Sequence, residues 1–215
     1  MKSFAADSQI LASSHSPSFL SPKNFPENSL CNALGIHTPS YPFRLVPHLH
    51  QIVSGDQSNG TGTPLGIQVL HTPGHTPDEL ALWDDSEKML YVGDTLYEYD
   101  NIIFPNEGSI VTWFSTVDYL ISFVQSHSEA SRECPAALVD VRINCGHATA
   151  CGPALEVLQL TRDFMMDVVS GREKVQSRIR KRGAWTVQYR QSGGRLALTC
   201  PEQLVLEARN KMLSV

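Results

Sequence analysis

The chain has no run of about 18 apolar residues, which excludes a membrane-spanning helix of ordinary length. It has no Cys-x-x-Cys pair either: its five cysteines, at 31, 134, 145, 151 and 200, are odd in number and irregularly spaced. That pattern argues against a disulfide framework and predicts reduced thiols in a cytoplasmic protein. Each cysteine is read as a small buried apolar residue, including Cys145, two positions before His147. Basic charge is in short supply, 17 Lys and Arg against 22 Asp and Glu, for a net charge of −5. Such a balance argues against nucleic acid as a general partner. After Lys2 no apolar core follows, so no secretory leader is expected. What is present, 41% apolar and 18% charged residues over 215 positions, suits one globular domain with a sizeable core, or one domain plus an appendage.

The texture changes near residue 65. Residues 1–64 are rich in Ser, Pro, Asn and Gly, with a possible strand at 4–13, a short helix at 28–34 and a loop at 54–63. Beyond them, Gly66 to Leu70 reads as a strand, and 79–83 and 88–92 as two strands joined by the polar turn Asp84-Asp85-Ser86-Glu87. Thr112 is placed to cap a helix carrying Trp113, Val117, Leu120, Ile121 and Val124 at helical spacing. Residues 137–144 read as another strand. Gly152-Pro153 then opens a helix closed by Gly171. Gly193-Gly194 marks a hairpin between 185–190 and 195–199, and Pro201-Glu202 begins a last helix running to Met212. Strands alternating with helices predict an α/β layered domain.

Three turns can carry chemistry. His71-Thr72-Pro73-Gly74-His75 stiffens the end of one strand, Gly93-Asp94 follows another nineteen residues past His75, and Gly146-His147 follows a third. Two imidazoles and a carboxylate at strand ends suit a hydrolytic zinc, which needs about three protein ligands and an open position for an activated water. Iron or manganese accepts the same ligand types. His75, Asp94 and His147 are therefore the candidate metal ligands, although eight histidines allow many chance trios.

The strings HTPGHTPD, GDTLYE and CGH, in that order and each after a strand, resemble the later motifs of the metallo-β-lactamase-fold hydrolases over about residues 65–170. That family is an αββα sandwich and includes glyoxalase II-like thioesterases. The resemblance implies that His75 completes a first metal site, that Asp94 bridges two metals and is the catalytic carboxylate, and that His147 closes the second site. His71 matches no ligand and is read as packing near the turn. The family's opening His-x-His-x-Asp-His is absent: His48-Leu49-His50 continues with Gln51-Ile52, and sits too close to His75.

The expected fold is thus a partial αββα sandwich, with residues 1–171 an N-terminally incomplete domain whose residues 4–13 match the strand after the missing motif. Residues 172–215 form a basic linker, a β-hairpin and a C-terminal helix. The expected activity is metal-dependent cleavage of an ester or thioester small molecule, in the acyl-coenzyme A thioesterase-like branch, with the metal site incomplete. The alternative is a non-catalytic fragment or pseudoenzyme that binds a partner. A sandwich short of strands exposes apolar faces, which favours a homo-oligomer. The basic run from Arg172 to Arg182 meets a phosphate-bearing substrate or is a solvated face. Tyr97, Trp113 and Phe114 are candidate pocket residues, Trp113 fitting the core better.

Overall fold

The computed structural model describes residues 8–29, 31–38, 42–54, 62–129, 140–181 and 183–213. Its N-terminal unit is a small β-α-β arrangement. Strands β1 (Leu11–Ser13) and β2 (Arg44–Val46) run parallel, with Leu11 opposite Arg44 and Ser13 opposite Val46. Two single-turn helices, α1 (Phe25–Asn28) and α2 (Cys31–Leu34), lie in the connection, where one helix was expected at 28–34. Of the strand expected at 4–13 only β1 is seen, residues 1–7 lying outside the described set.

The main sheet has six strands in the order β3-β4-β5-β6-β8-β9. Strand β3 (Gln51–Ser54) pairs antiparallel with β4 (Thr63–His71), which pairs antiparallel with β5 (Leu80–Asp84) in a register that sets Leu70 against Ala81. Strand β6 (Met89–Tyr91) follows a tight turn in which Asp84 accepts the backbone N–H groups of Ser86 and Glu87 at 3.0 and 3.1 Å. The Ser86 hydroxyl, which donates to Asp84 at 2.7 Å, and those N–H groups hold the Asp84 carboxyl below its usual range, since they favour the charged form. Strand β8 (Arg142–Asn144) lies parallel to β6, and β9 (Gly152–Pro153) closes the edge. Residues 137–139 of the expected strand lie outside the described residues.

A second, four-stranded sheet has the order β10-β11-β12-β7. Strand β7 (Asn101–Ile103) runs parallel to β12 (Ala197–Pro201), which pairs antiparallel with β11 (Ala184–Arg190) across the Gly193-Gly194 turn. Both glycines hold positive φ, 90° and 73°, as a tight hairpin turn requires. The basic run expected as a linker is corrected here. Residues Ser177–Lys181 form strand β10, fully exposed at the sheet edge and antiparallel to β11. Cationic side chains on an edge strand discourage pairing with other chains, which is why so polar a segment is tolerated in a sheet.

Three helices complete the fold: α3 (Ile110–Glu129), α4 (Ala154–Ser170) and α5 (Glu202–Leu213). Helix α3 is capped by Ser109 and not by Thr112: the Ser109 hydroxyl accepts the Thr112 N–H at 3.2 Å. Gly171 ends α4 in the left-handed conformation, φ 78°. Arg209 of α5 donates to the α4 carbonyls of Val168 and Val169 at 3.0 and 2.9 Å, satisfying groups that a helix end leaves open.

One core joins these parts: Leu70, Leu90 and Ile143 from the main sheet, Trp113, Val117 and Leu120 from α3, Phe164 and Met165 from α4, and Val187, Tyr189, Leu198 and Val205 from the tail. The tail is therefore built into the core and is no appendage. Trp113 is fully buried and its indole N–H donates to the Thr95 carbonyl at 2.6 Å, so the ring enters the core with its polar atom satisfied. No helix among the described residues is long and apolar enough to cross a membrane. Cys31, Cys145, Cys151 and Cys200 are free thiols; Cys134 lies outside the described residues.

Candidate metal centre

The turn after β4 is pinned against the start of α3. Thr72 N–H donates to the Glu79 carbonyl at 3.0 Å, Ser109 N–H to the Gly74 carbonyl at 2.7 Å, and the Thr116 hydroxyl to the Pro73 carbonyl. Gly74 is required: φ is 148°, and a Cβ there would stand 2.5 Å from Trp113 Cα. The glycine between the two turn histidines thus lets helix α3 approach the turn.

The turn holds His75 nearly buried. Its Nε2 lies 2.9 Å from the Ile103 carbonyl on β7, an acceptor only, so this nitrogen donates. Its Nδ1 stands 3.4 Å from Glu79 Oε2, and the ring meets Phe104 edge-on at 5.4 Å. Burial opposes a charge on His75, but Glu79, the Ile103 carbonyl and Asp94 together raise its pKa above the ordinary value. Burial likewise lifts the Glu79 carboxyl, against the pull of His75. The pair retains a proton between its two partners more readily than either group would alone.

Asp94 and His147 meet on the neighbouring turns. Asp94 follows Gly93 after β6, His147 follows Gly146 after β8, and β6 and β8 are adjacent parallel strands. His147 Nε2 is 3.5 Å from Asp94 Oδ1, and its Nδ1 is 3.6 Å from Asp100 Oδ2. Gly146 makes this possible, because any Cβ at that position would press into Asp94 Oδ1. The Tyr97 ring packs 4.7 Å from the His147 ring, and its hydroxyl donates to the Asn101 carbonyl at 3.0 Å. Burial and the charges of Asp94 and Asp100 push the Tyr97 phenol up to about 12, so it is neutral beside the imidazole.

Buried Glu98 fixes these loops to one another. Its backbone N–H donates to the Thr149 hydroxyl at 2.7 Å, and its carboxylate receives Arg195 from the β11–β12 turn region at 2.6 Å, while Arg195 also reaches Glu156 at 2.9 Å. Cys145 lies partly buried, and burial pushes its thiol up to about 12, so the metal-free side chain is protonated.

The three candidate ligands thus fall into two groups. Asp94 and His147 stand side by side, each about half exposed, with Asp100 beyond them. His75 is close enough to feel the Asp94 charge, but both its nitrogens are engaged elsewhere. Among the described residues, no three His, Cys, Asp or Glu side chains converge to hold an ion. As arranged, the donors do not fit a complete metal centre. Of the candidate pocket residues, Trp113 and Phe114 are buried in the core, and Tyr97 alone packs on a candidate ligand.

Sequence reasoning missed Glu79 and Asp100. Glu79 carried a signal, standing four positions after His75 in the same string; Asp100 stands six after Asp94 in an acidic loop. His71 is a strand-end residue tied to β2, its Nε2 3.0 Å from the Val46 carbonyl. One cavity lies beside this turn and a larger one in the N-terminal unit. The smaller, about 230 Å³, is lined by His15, Ser16, Gly74, Glu107, Ser109 and Thr112 beside the turn. The larger, about 500 Å³, is lined by N-terminal residues such as Leu11, Leu20, Phe25 and Phe43 and by none of the candidate ligands.

The fold is mixed α/β, with two imidazoles and a carboxylate carried on strand-end turns. The sequence model of the metallo-β-lactamase superfamily matches residues 15–147, and the chain belongs to that superfamily. The match opens directly after β1, at a segment, 14–19, that holds one histidine and no carboxylate. Among curated proteins, the chain is 30% identical over 159 residues to "Putative transcription factor avaE" of Aspergillus versicolor, covering 70% of this chain and 44% of that protein. It is 31% identical over 81 residues to an uncharacterized protein of Aquifex aeolicus, covering 38% of this chain and 33% of that one. The chain spans less than half the length of these relatives. Among solved structures, a metallo-beta-lactamase family protein from Thermus thermophilus aligns with a TM-score of 0.49 at 14% identity, over 80% of this chain and 57% of that one. A protein solved in a di-iron-bound form aligns with a TM-score of 0.46 at 19% identity, over 70% and 63%.

Proposed function

We propose that the chain derives from a metal-dependent hydrolase of esters or thioesters, of the acyl-coenzyme A thioesterase-like kind, and that it keeps a reduced centre. Asp94 and His147 would hold at most one weakly bound zinc, iron or manganese ion, with His75 joining only by releasing the Ile103 carbonyl. The observation that carries this reading is the 3.5 Å approach of Asp94 to His147, which the bare Gly146 backbone permits. When bound in such proteins, the ion polarises the carbonyl and activates water. What this chain's residues supply is narrower: a carboxylate beside an imidazole at a half-open surface, and a neutral phenol beneath the ring.

A second reading, a non-catalytic binding module, is favoured by a different observation: both nitrogens of His75 are already partnered. The Aspergillus relative carries a name that concerns transcription. Metal content and turnover separate the two. The purified chain, dialysed against zinc, iron or manganese, is expected to retain a substoichiometric ion that His147→Ala or Asp94→Asn removes, with slow thioester cleavage lost in parallel. Less than about a tenth of an equivalent of every metal, together with no cleavage of thioesters or lactones, would sink the hydrolase reading and leave the binding module.

A further inference from the structure

Three histidines outside the candidate centre meet where the N-terminal unit joins β4. Strand β4 faces β3 through Val69, whose carbonyl accepts the Leu49 N–H and whose N–H donates to the His50 carbonyl, both at 2.8 Å. Two residues on, the His71 N–H points to the same side, since strand donors alternate. The chain there has turned away at Leu49, φ 64°, and the acceptor is the imidazole of His48: Nδ1 receives the His71 N–H at 3.0 Å. In return the His71 ring, through Nε2, donates to the Val46 carbonyl at 3.0 Å. The segment Val46-Pro47-His48 and His71 are thus joined by two reciprocal hydrogen bonds, one of which needs an unprotonated Nδ1 on His48.

We propose that this pairing is an acid-released latch: proton uptake by His48 breaks the hydrogen bond that ends the β3–β4 ladder and loosens the N-terminal unit from the end of β4. The chemistry is one-sided. A neutral imidazole can accept at Nδ1, whereas an imidazolium has two donors and would confront the His71 N–H. Solvent reaches His48, which is exposed, but among the described residues no neighbouring side chain offers its cation a countercharge. His71 on β4 lies with its ring centroid 5.7 Å away, His15, just past β1, stands 5.8 Å from His71, and Tyr119 on α3 is 5.5 Å from His48. Burial raises the Tyr119 phenol, so it is neutral, and among the described residues none of the three imidazoles makes an ion pair. Burial first, and then the neighbouring His71, hold His48 below its ordinary value. A histidine whose folded pKa is lowered leaves stability unaffected above its unfolded value of about 6.5, and removes it as pH falls from there toward the folded pKa.

Amide exchange on the full chain at about pH 7.5 and about pH 5.5, corrected for the intrinsic pH dependence of exchange, reads the latch directly. Protection of the His71 amide is expected to fall at least about fivefold at the lower pH, with Leu49 and Val69 following. His48→Asn places an amide oxygen where Nδ1 stands and cannot titrate; it is expected to keep the protection and abolish the pH dependence. The idea is overturned by unchanged wild-type protection across the two conditions, or by the same fall in His48→Asn. If that variant does not fold, imidazole nitrogen shifts of the wild-type chain decide. Supporting it, His48 carries its proton on Nε2 at neutral pH and the His71 amide shift follows its titration; a His48 titration to which the His71 amide is blind overturns it.

Discussion

The N-terminal unit and the body of the molecule are held together by different forces. Among the described residues of 8–54 the buried side chains are Ala12, Ser13 and Val46, while Leu34, Ile36, Leu45 and Leu49 are largely exposed; the contiguous core of described residues begins only at Leu70. From residue 62 onward, two sheets and three helices share that core, and even the last helix contributes Leu204, Val205 and Ala208 to it. The body is thus stabilised by apolar burial, which acts in every direction and is indifferent to pH, whereas the N-terminal unit depends on backbone ladders and the His48–His71 exchange. Directional bonds make it the region that opens first.

The comparison is broken most severely from inside the body. Trp113→Ala removes a fully buried ring and the partner of the Thr95 carbonyl, and is expected to cost about 3–5 kcal/mol, read as a lowered midpoint in urea unfolding. Arg209→Ala should cost about 1–2 kcal/mol, because the Val169 carbonyl loses its side-chain donor and the Val168 carbonyl is left with the Gly171 N–H alone; amide exchange should show the loosening in α5 and the last turn of α4. At the other extreme, Ile36→Ser, in a side chain already 54% exposed, should move stability by no more than about 0.5 kcal/mol. A large loss there would show that the N-terminal unit has a core of its own and would remove the contrast. The latch experiment sharpens the same contrast: in the body acid should act at titrating sites such as the His75–Glu79 turn, whereas His48→Asn should silence the response of the N-terminal amides and the end of β4 alone.

Much of the body was legible in the sequence because its signals are local. The His-Thr-Pro-Gly-His turn after β4, the polar turn between β5 and β6, Gly171 at the end of α4 and Gly193-Gly194 in the hairpin each carry their own turn chemistry, and each feature lies where the sequence places it. Strand β7 gave no such signal: its three residues are held by β12, far along the chain, through pairs such as Ile102 with Leu198. Strand β10 was hidden by its charge, since exposure of all five residues leaves no apolar alternation to read. At the candidate centre the sequence places His75, Asp94 and His147 on turns, but not the direction of a ring. The Ile103 carbonyl that takes the His75 proton lies twenty-eight residues away, on a strand no pattern announced.

Gly146 bears on how an ion site could be engineered into these turns. Two adjacent parallel strands bring the Asp94 and His147 turns together, and the missing side chain at Gly146 leaves the space in which carboxylate and imidazole meet. Ligands added from other loops would not disturb that spacing. An ion site designed into this chain would therefore have a carboxylate–imidazole pair to start from.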